Sequence, residues 1–244
     1  QEDLAPYECD ALTALREKPL AVAIPETEDE ILKLLEACRQ HSIAVVTRGA
    51  GTGLSCGARP VAGALLVSMM RFNRILEDDE DNLTALVEPG VRNLAISDAV
   101  ADKGLYYAPD PSSQLACSIG GNVAENAGGV NCLKYGLTVN NIVGLKVISI
   151  DGHVHTLGNN TLESPGYDLT ALMNGSEGML AVITEIRVRL RVKPPIVRVI
   201  LAAFDDIEQA GNAVSTIIKA GIVPAGLEMM DGDAIKAVED FAHA

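Results

Sequence analysis

The apolar positions change period along the chain, and those changes mark out its elements. Ala21 to Ile24 reads as a short strand ended by Pro25. Thr27-Glu28-Asp29-Glu30 has the form of a capping box, and Ile31, Leu34, Leu35 and Cys38 follow at helical spacing until Ser42. Ile43 to Thr47 and Ala64 to Ser68 read as buried strands. Ile75 to Glu77 and Leu83 to Glu88 read as a pair around the acidic turn at 78–82. Asn93 is placed to cap a helix that runs to Val100 and stops by Gly104. Pro109 and Pro111 stiffen an extended entry to the next element. There Ile119, Val123 and Ala127 recur every four residues, which predicts a short helix capped by Ser118 and closed by a left-handed Gly128.

The second half continues in the same manner. Ile142 to Ile150 and His153 to Leu157 predict a hairpin across Asp151-Gly152, and Asp168 caps a short helix ending near Gly175. From Leu180 to Val192, apolar residues alternate with Arg187, Arg189 and Arg191, giving one buried and one solvated face. Pro194-Pro195 is the clearest break. Beyond it the pattern predicts a strand at Val197–Phe204, a helix boxed by Asp205 and Glu208, a strand at Gly226–Met229 and a helix after Asp231. That is little for an independent domain, so 196–244 reads as the opening of a larger unit.

Composition narrows the function. A chain of 244 residues, 48% hydrophobic and 21% charged, is an ordinary globular mixture with a sizeable core. A net charge of −14 excludes a general positive field for nucleic acid or an anionic membrane. No apolar run approaches the ~18 residues that span a bilayer. No signal peptide is read, and Gln1 in place of methionine is expected of a processed or trimmed start. The five cysteines form no C-x-x-C pair, as expected of a reduced, intracellular protein. His153 and His155 share a strand face, but no third metal ligand is spaced near them.

Candidate chemistry lies in three glycine-rich turns, at 48–53, 118–129 and 175–178. The first has no lysine for a Walker A loop, and Leu54 stands where a Rossmann fingerprint needs its third glycine. What remains is a run of small residues whose N–H groups can form an anion-binding nest. Ser118-Ile119-Gly120-Gly121 is a second candidate, since free N–H groups at a helix start attract anions. If the three turns converge, they line one groove made largely of backbone. Its ligand would be extended and anionic, and a dinucleotide with a central pyrophosphate fits.

Six motifs in register carry a resemblance: Arg48-Gly-Ala-Gly-Thr-Gly53, Pro109-Asp-Pro-Ser-Ser113, Ser118 to Gly129, Lys134-Tyr-Gly136, Gly166-Tyr-Asp-Leu169 and Gly175-Ser-Glu-Gly178. Their order resembles the FAD-binding domain of the vanillyl-alcohol-oxidase (PCMH-type) flavoproteins. Within that superfamily the chain is most similar to the branch of the bacterial glycolate oxidases, with D-lactate and D-2-hydroxyglutarate dehydrogenases near. The resemblance implies an α+β fold: an FAD-binding domain of two α+β subdomains over 17–193, followed by the start of an α/β cap domain over 196–244. It further implies that Gly49, Ala50, Gly51, Thr52 and Gly53 wrap the FAD pyrophosphate, with Leu54 continuing the loop. Pro109 and Asp110 would lie along the flavin with Ser113 nearby. Ser118, Gly120, Gly121, Asn122 and Asn126 would contact the cofactor, with Gly128 and Gly136 giving backbone room. Glu177, Gly178, Val182 and Ile183 would close over the adenine side.

The activity so implied is oxidation of a D-2-hydroxy acid, glycolate to glyoxylate first, by hydride transfer to flavin. The alternatives are a D-lactate or D-2-hydroxyglutarate dehydrogenase, or a non-catalytic flavin-binding electron-relay subunit. Arg48 to Gly53 holds no histidine, so the FAD is expected to be non-covalent. The family's substrate arginine, catalytic histidines and metal ligands lie further along the cap domain. None of His41, His153, His155 or His243 matches them, so no catalytic or metal residue is assigned and the chain alone is expected to be inactive. Partners implied are a small hydroxy acid and electron-carrying oxidase subunits, with no nucleic acid and no transmembrane segment. The expected location is cytoplasmic, or peripheral to the inner membrane through partner subunits.

Overall fold

The computed structural model describes residues 2–159 and 166–243. Strand β1 (Ala21–Ala23), helix α1 (Glu28–Gln40), β2 (Val45–Arg48) and β3 (Leu65–Ser68) form a first unit, with the strands parallel in the order β1-β3-β2. The capping box predicted for α1 is present: Thr27 accepts from the Glu30 amide and Glu30 reaches back to the Thr27 amide. Ile31, Leu35 and Cys38 are buried, whereas Leu34 is half-buried.

A second unit is a five-stranded antiparallel sheet. Its strands are β4 (Ile75–Asp79), β5 (Thr84–Val87), β7 (Ile142–Ile148), β8 (Val154–Gly158) and β9 (Val182–Arg189), in the order β4-β5-β9-β7-β8. Helices α2 (Asn93–Ala99) and α3 (Ile119–Glu125) cover it, burying Ile96, Ile119 and Val123 against Val87, Leu145, Ile186 and Val188. The long strand expected to Val192 instead changes sheet. Arg191–Val192 (β10) pairs with Leu105–Tyr106 (β6), and buried Leu190 makes the corner.

Helix α1 is pinned to both units. Its buried face packs on Val67 and Met69 of the first and on Ile148 and Val182 of the second. Lys146 of β7 bridges Glu28 at 2.8 Å and Glu185 at 3.2 Å, and Thr184 donates to Glu28.

Several local expectations need correction. Asn93 is the first helical residue of α2 rather than its cap; its buried amide donates to the Pro109 carbonyl. Helix α3 ends two residues earlier than expected, on Asn126 in the left-handed region (φ 50°), not on Gly128. Its neighbours are the short α4 (Cys132–Tyr135) and α5 (Leu169–Met173), the latter capped by Asp168 as expected. Beyond Pro195, α6 (Ile207–Lys219) and α7 (Gly232–Ala242) form with caps Asp206 and Asp231, neither burying a residue. The strands expected at Val197–Phe204 and Gly226–Met229 do not form. A strand needs a neighbour for its ladder, and among the described residues neither segment hydrogen-bonds to one.

Candidate functional site

The turn at 49–54 leaves the end of β2, and α3 rises from the turn after Cys117. Between them, with the turn at 177–178, runs an open groove of about 1130 Å³ including its mouth. Of the residues singled out from sequence, Gly49, Ala50, Gly51, Thr52, Gly53, Leu54, Ser113, Ser118, Gly120, Gly121, Asn122, Glu177, Gly178 and Ile183 line it. The three separated turns therefore share one channel.

The start of α3 is not the anion site its glycines suggest. Ile119 N–H donates to the Val91 carbonyl and Gly120 N–H to the Pro89 carbonyl, both at 2.8 Å. Ser118 takes the Gly121 amide on its hydroxyl and the Asn122 amide on its carbonyl. The donors are consumed by the incoming chain at 89–91. Gly120 is small because it packs on Pro89, where a Cβ would lie 2.6 Å from the proline ring. In the same way Gly49 has no room for a Cβ beside the Ser118 hydroxyl.

The free donors are in the other turn. Among the described residues, none of the amides of Gly49, Ala50, Gly51, Thr52, Gly53 or Leu54 donates to a protein acceptor. Six successive N–H groups without a protein partner, in a turn that lines the groove, are donors a ligand can use. The Asn122 side chain adds to them: buried, its Nδ2 meets no oxygen acceptor, and the Cys117 thiol lies beside it.

Both signs of charge gather around the first turn. Arg48 lines the groove at 9% exposure, and burial lowers its guanidinium below the ordinary value against the pull of Cys9, Asp10 and Tyr7. Beside the same turn Glu125 and Glu177 flank Gly57, whose Cβ would lie 2.9 and 3.0 Å from their carboxylate oxygens, and Glu125 Oε1 would lie 3.1 Å from a Cβ at Gly53. Burial, then Glu177 and Asp10, pushes the Glu125 carboxyl above its usual range. Carboxylates repel an anion and accept from hydroxyl and amino groups.

The remaining predicted residues are not among those lining the groove. Pro109 is buried, and Asp110 accepts from the Asn131 amide at 2.8 Å. Asn126 turns the chain and its Oδ1 accepts from the Val139 amide at 3.0 Å. Gly128 packs on Leu137, Gly136 on Asn140, and Val182 is buried behind α1. Arg48, Pro89 and Glu125 line the groove without having been singled out. Arg48 and Glu125 lie inside quoted motifs and were findable there, whereas Pro89 is brought in by tertiary contact alone. His153 pairs with Asp151 and His155 lies 3.2 Å from Ser149 Oγ. Among the described residues no cluster could hold a metal.

Residues 19–158 match the model described as "FAD binding domain", and 193–244 the one described as "FAD linked oxidases, C-terminal domain". The chain is 58% identical to the glycolate oxidase subunit GlcD of Escherichia coli (strain K12) over 100% of its own length and 49% of the relative's. It is 44% identical to that of Bacillus subtilis (strain 168), over 97% and 50%. A D-lactate dehydrogenase of Archaeoglobus fulgidus is 36% identical over 89% of this chain and 49% of its own. The chain thus spans about half the length of these relatives. Among solved structures, alkyldihydroxyacetonephosphate synthase superposes with a TM-score of 0.70 at 22% identity, covering 84% of this chain and 40% of that one, which supports the fold alone.

Proposed function

The chain belongs to the FAD-binding-domain family of FAD-linked oxidases, and from that premise we propose that it is the flavin-holding part of a D-2-hydroxy-acid oxidoreductase. The observation that carries the reading is the groove walled by glycine, with six successive unpartnered amides at 49–54. The residues fit the cofactor. The amides of Gly49 to Leu54 would hold its diphosphate, and the unsatisfied Asn122 amide would gain an acceptor. Glu125 and Glu177, beside Gly53 and Gly57, would take ribose hydroxyl or adenine amino donors. When bound, FAD would accept the hydride leaving Cα of the hydroxy acid. The protein's own part is to orient it and to exclude water along the Ile119–Val123 side of the groove, where the core is sealed.

Glycolate is the first choice of substrate because the GlcD subunits carry that name, with D-lactate and D-2-hydroxyglutarate as alternatives. The GlcD relatives are named as subunits, so electron-accepting partners belong to the proposal. No catalytic residue is assigned within 1–244. No helix among the described residues is long and apolar enough to cross a membrane, and a cytoplasmic location is part of the same reading. The test is reconstitution: protein incubated with FAD and passed over a sizing column should carry flavin absorbance, and acid precipitation should release all of it to the supernatant. A colourless protein peak would overturn the reading, and flavin retained in the pellet would overturn its non-covalent part.

A further inference from the structure

The first glycine turn is folded around its own arginine. Gly51 has φ +71°, and a Cβ there would lie 2.5 Å from Arg48 Cζ, so the guanidinium fills the inside of the loop. One guanidinium nitrogen donates to the carbonyls of Cys9 (2.8 Å) and Ala58 (3.2 Å), the other to that of Pro6 (3.4 Å). The Tyr7 ring lies 5.8 Å from Arg48 Cζ. Two of those three carbonyls belong to the N-terminal arm, a 3₁₀ turn at Glu2–Tyr7 and the residues after it. The arm returns the contact, since Ala11 N–H donates to the Gly53 carbonyl at 3.1 Å.

The guanidinium is also short of negative charge. Its acceptors are neutral carbonyls, and among the described residues no carboxylate comes within ion-pair distance of it. Asp10 is near enough to be felt, but its Oδ1 takes the Leu12 amide and its buried Oδ2 has no partner. A buried, unpaired cation is costly in isolation, and an anion bound nearby relieves it.

We propose that Arg48 and the arm at 6–12 form a clasp that sets the shape and the charge of the diphosphate loop, so that Arg48 is a positioning residue acting through the loop. The inference rests on the FAD reading given above. The fork geometry matters, because three carbonyls at different angles need the several fixed donors that arginine has and lysine lacks. The arm itself supplies no predicted cofactor contact. Ligand binding should nonetheless reach it, since loop and arm share the Arg48 and Ala11 hydrogen bonds.

Two measurements test this together. The first is FAD titration of the full chain, Arg48→Met and Arg48→Lys, with apo thermal melts run alongside. Arg48→Met should lose about tenfold or more in FAD affinity, and Arg48→Lys should recover only part of it. The second needs no variant: amide exchange of the native chain with and without FAD. Exchange at residues 7–12 should slow on FAD addition, and in Arg48→Met it should be insensitive to FAD. Native FAD affinity in Arg48→Met, or arm exchange in the native chain unmoved by bound FAD, would overturn the clasp. If the native chain takes up no FAD, it is the functional reading that fails, and the two failures are distinguishable. If Arg48→Met does not fold, the native exchange experiment decides alone.

Discussion

Gly49 shows how little slack a backbone-lined groove leaves at one residue. A methyl group there runs into the Ser118 hydroxyl, which is held in place as the cap of α3 by the Gly121 amide. Gly49→Ala should therefore cost about 2 kcal/mol in a denaturant melt and weaken FAD retention more than an equally destabilising core change. Glu125 gives a residue-scale prediction with a sign. Its carboxyl holds its proton above the usual range in the fold, so the unfolded chain ionises first and stability falls as pH rises out of that range. Glu125→Gln removes that loss. It should raise the melting temperature at neutral pH by about 2 °C, and the two proteins should converge under acid conditions where wild type is protonated. A gain of equal size at both ends would show that burial and Glu177 are not the cause.

Asn126 belongs to the scale of elements, since it closes α3. Two things recommend asparagine there: tolerance of a left-handed backbone and the Oδ1 acceptor for the Val139 amide. Asn126→Gly keeps the first and loses the second, whereas Asn126→Ala loses both. The alanine variant should be less stable by about 1 kcal/mol than the glycine one, read from urea midpoints at a common slope. Capping signals such as Thr27, Ser118, Asp168 and Asp231 were legible because a cap is made within four residues of itself. The fate of the α3 donors was not legible. Val91 and Pro89 reach them only through the bridge between Arg92 and Ser118, which no local pattern encodes. Strand 197–204 failed for a related reason: its apolar run was readable, but its partner is a matter of the rest of the fold. The glycine turns were legible as a set, and which of them offers free amides was not.

At the scale of the molecule, the groove draws on both sheets, with 49–54 following the parallel one and 178–183 entering the antiparallel one. Helix α1, packed on both, keeps the two banks in register. The region beyond Pro195 contributes almost nothing to either core, and its link to the rest includes Gly226 packed on Val130. Native-state exchange should reflect this division. Amides of β5, β7 and β9 should exchange slowest, and those of 197–204 should exchange as in a free peptide. Protection of 197–204 comparable to β9 in the isolated chain would refute the division.

That bare segment has a practical consequence. Val199, Ile200 and Leu201 are 91%, 90% and 98% exposed, and Arg198 is the one charge between Val197 and Phe204. An uncovered ribbon of this make-up recruits its own kind, copy zipping onto copy as concentration climbs. A second charge at Ile200 should therefore lengthen the shelf life of the purified chain, read as the time to turbidity at high concentration.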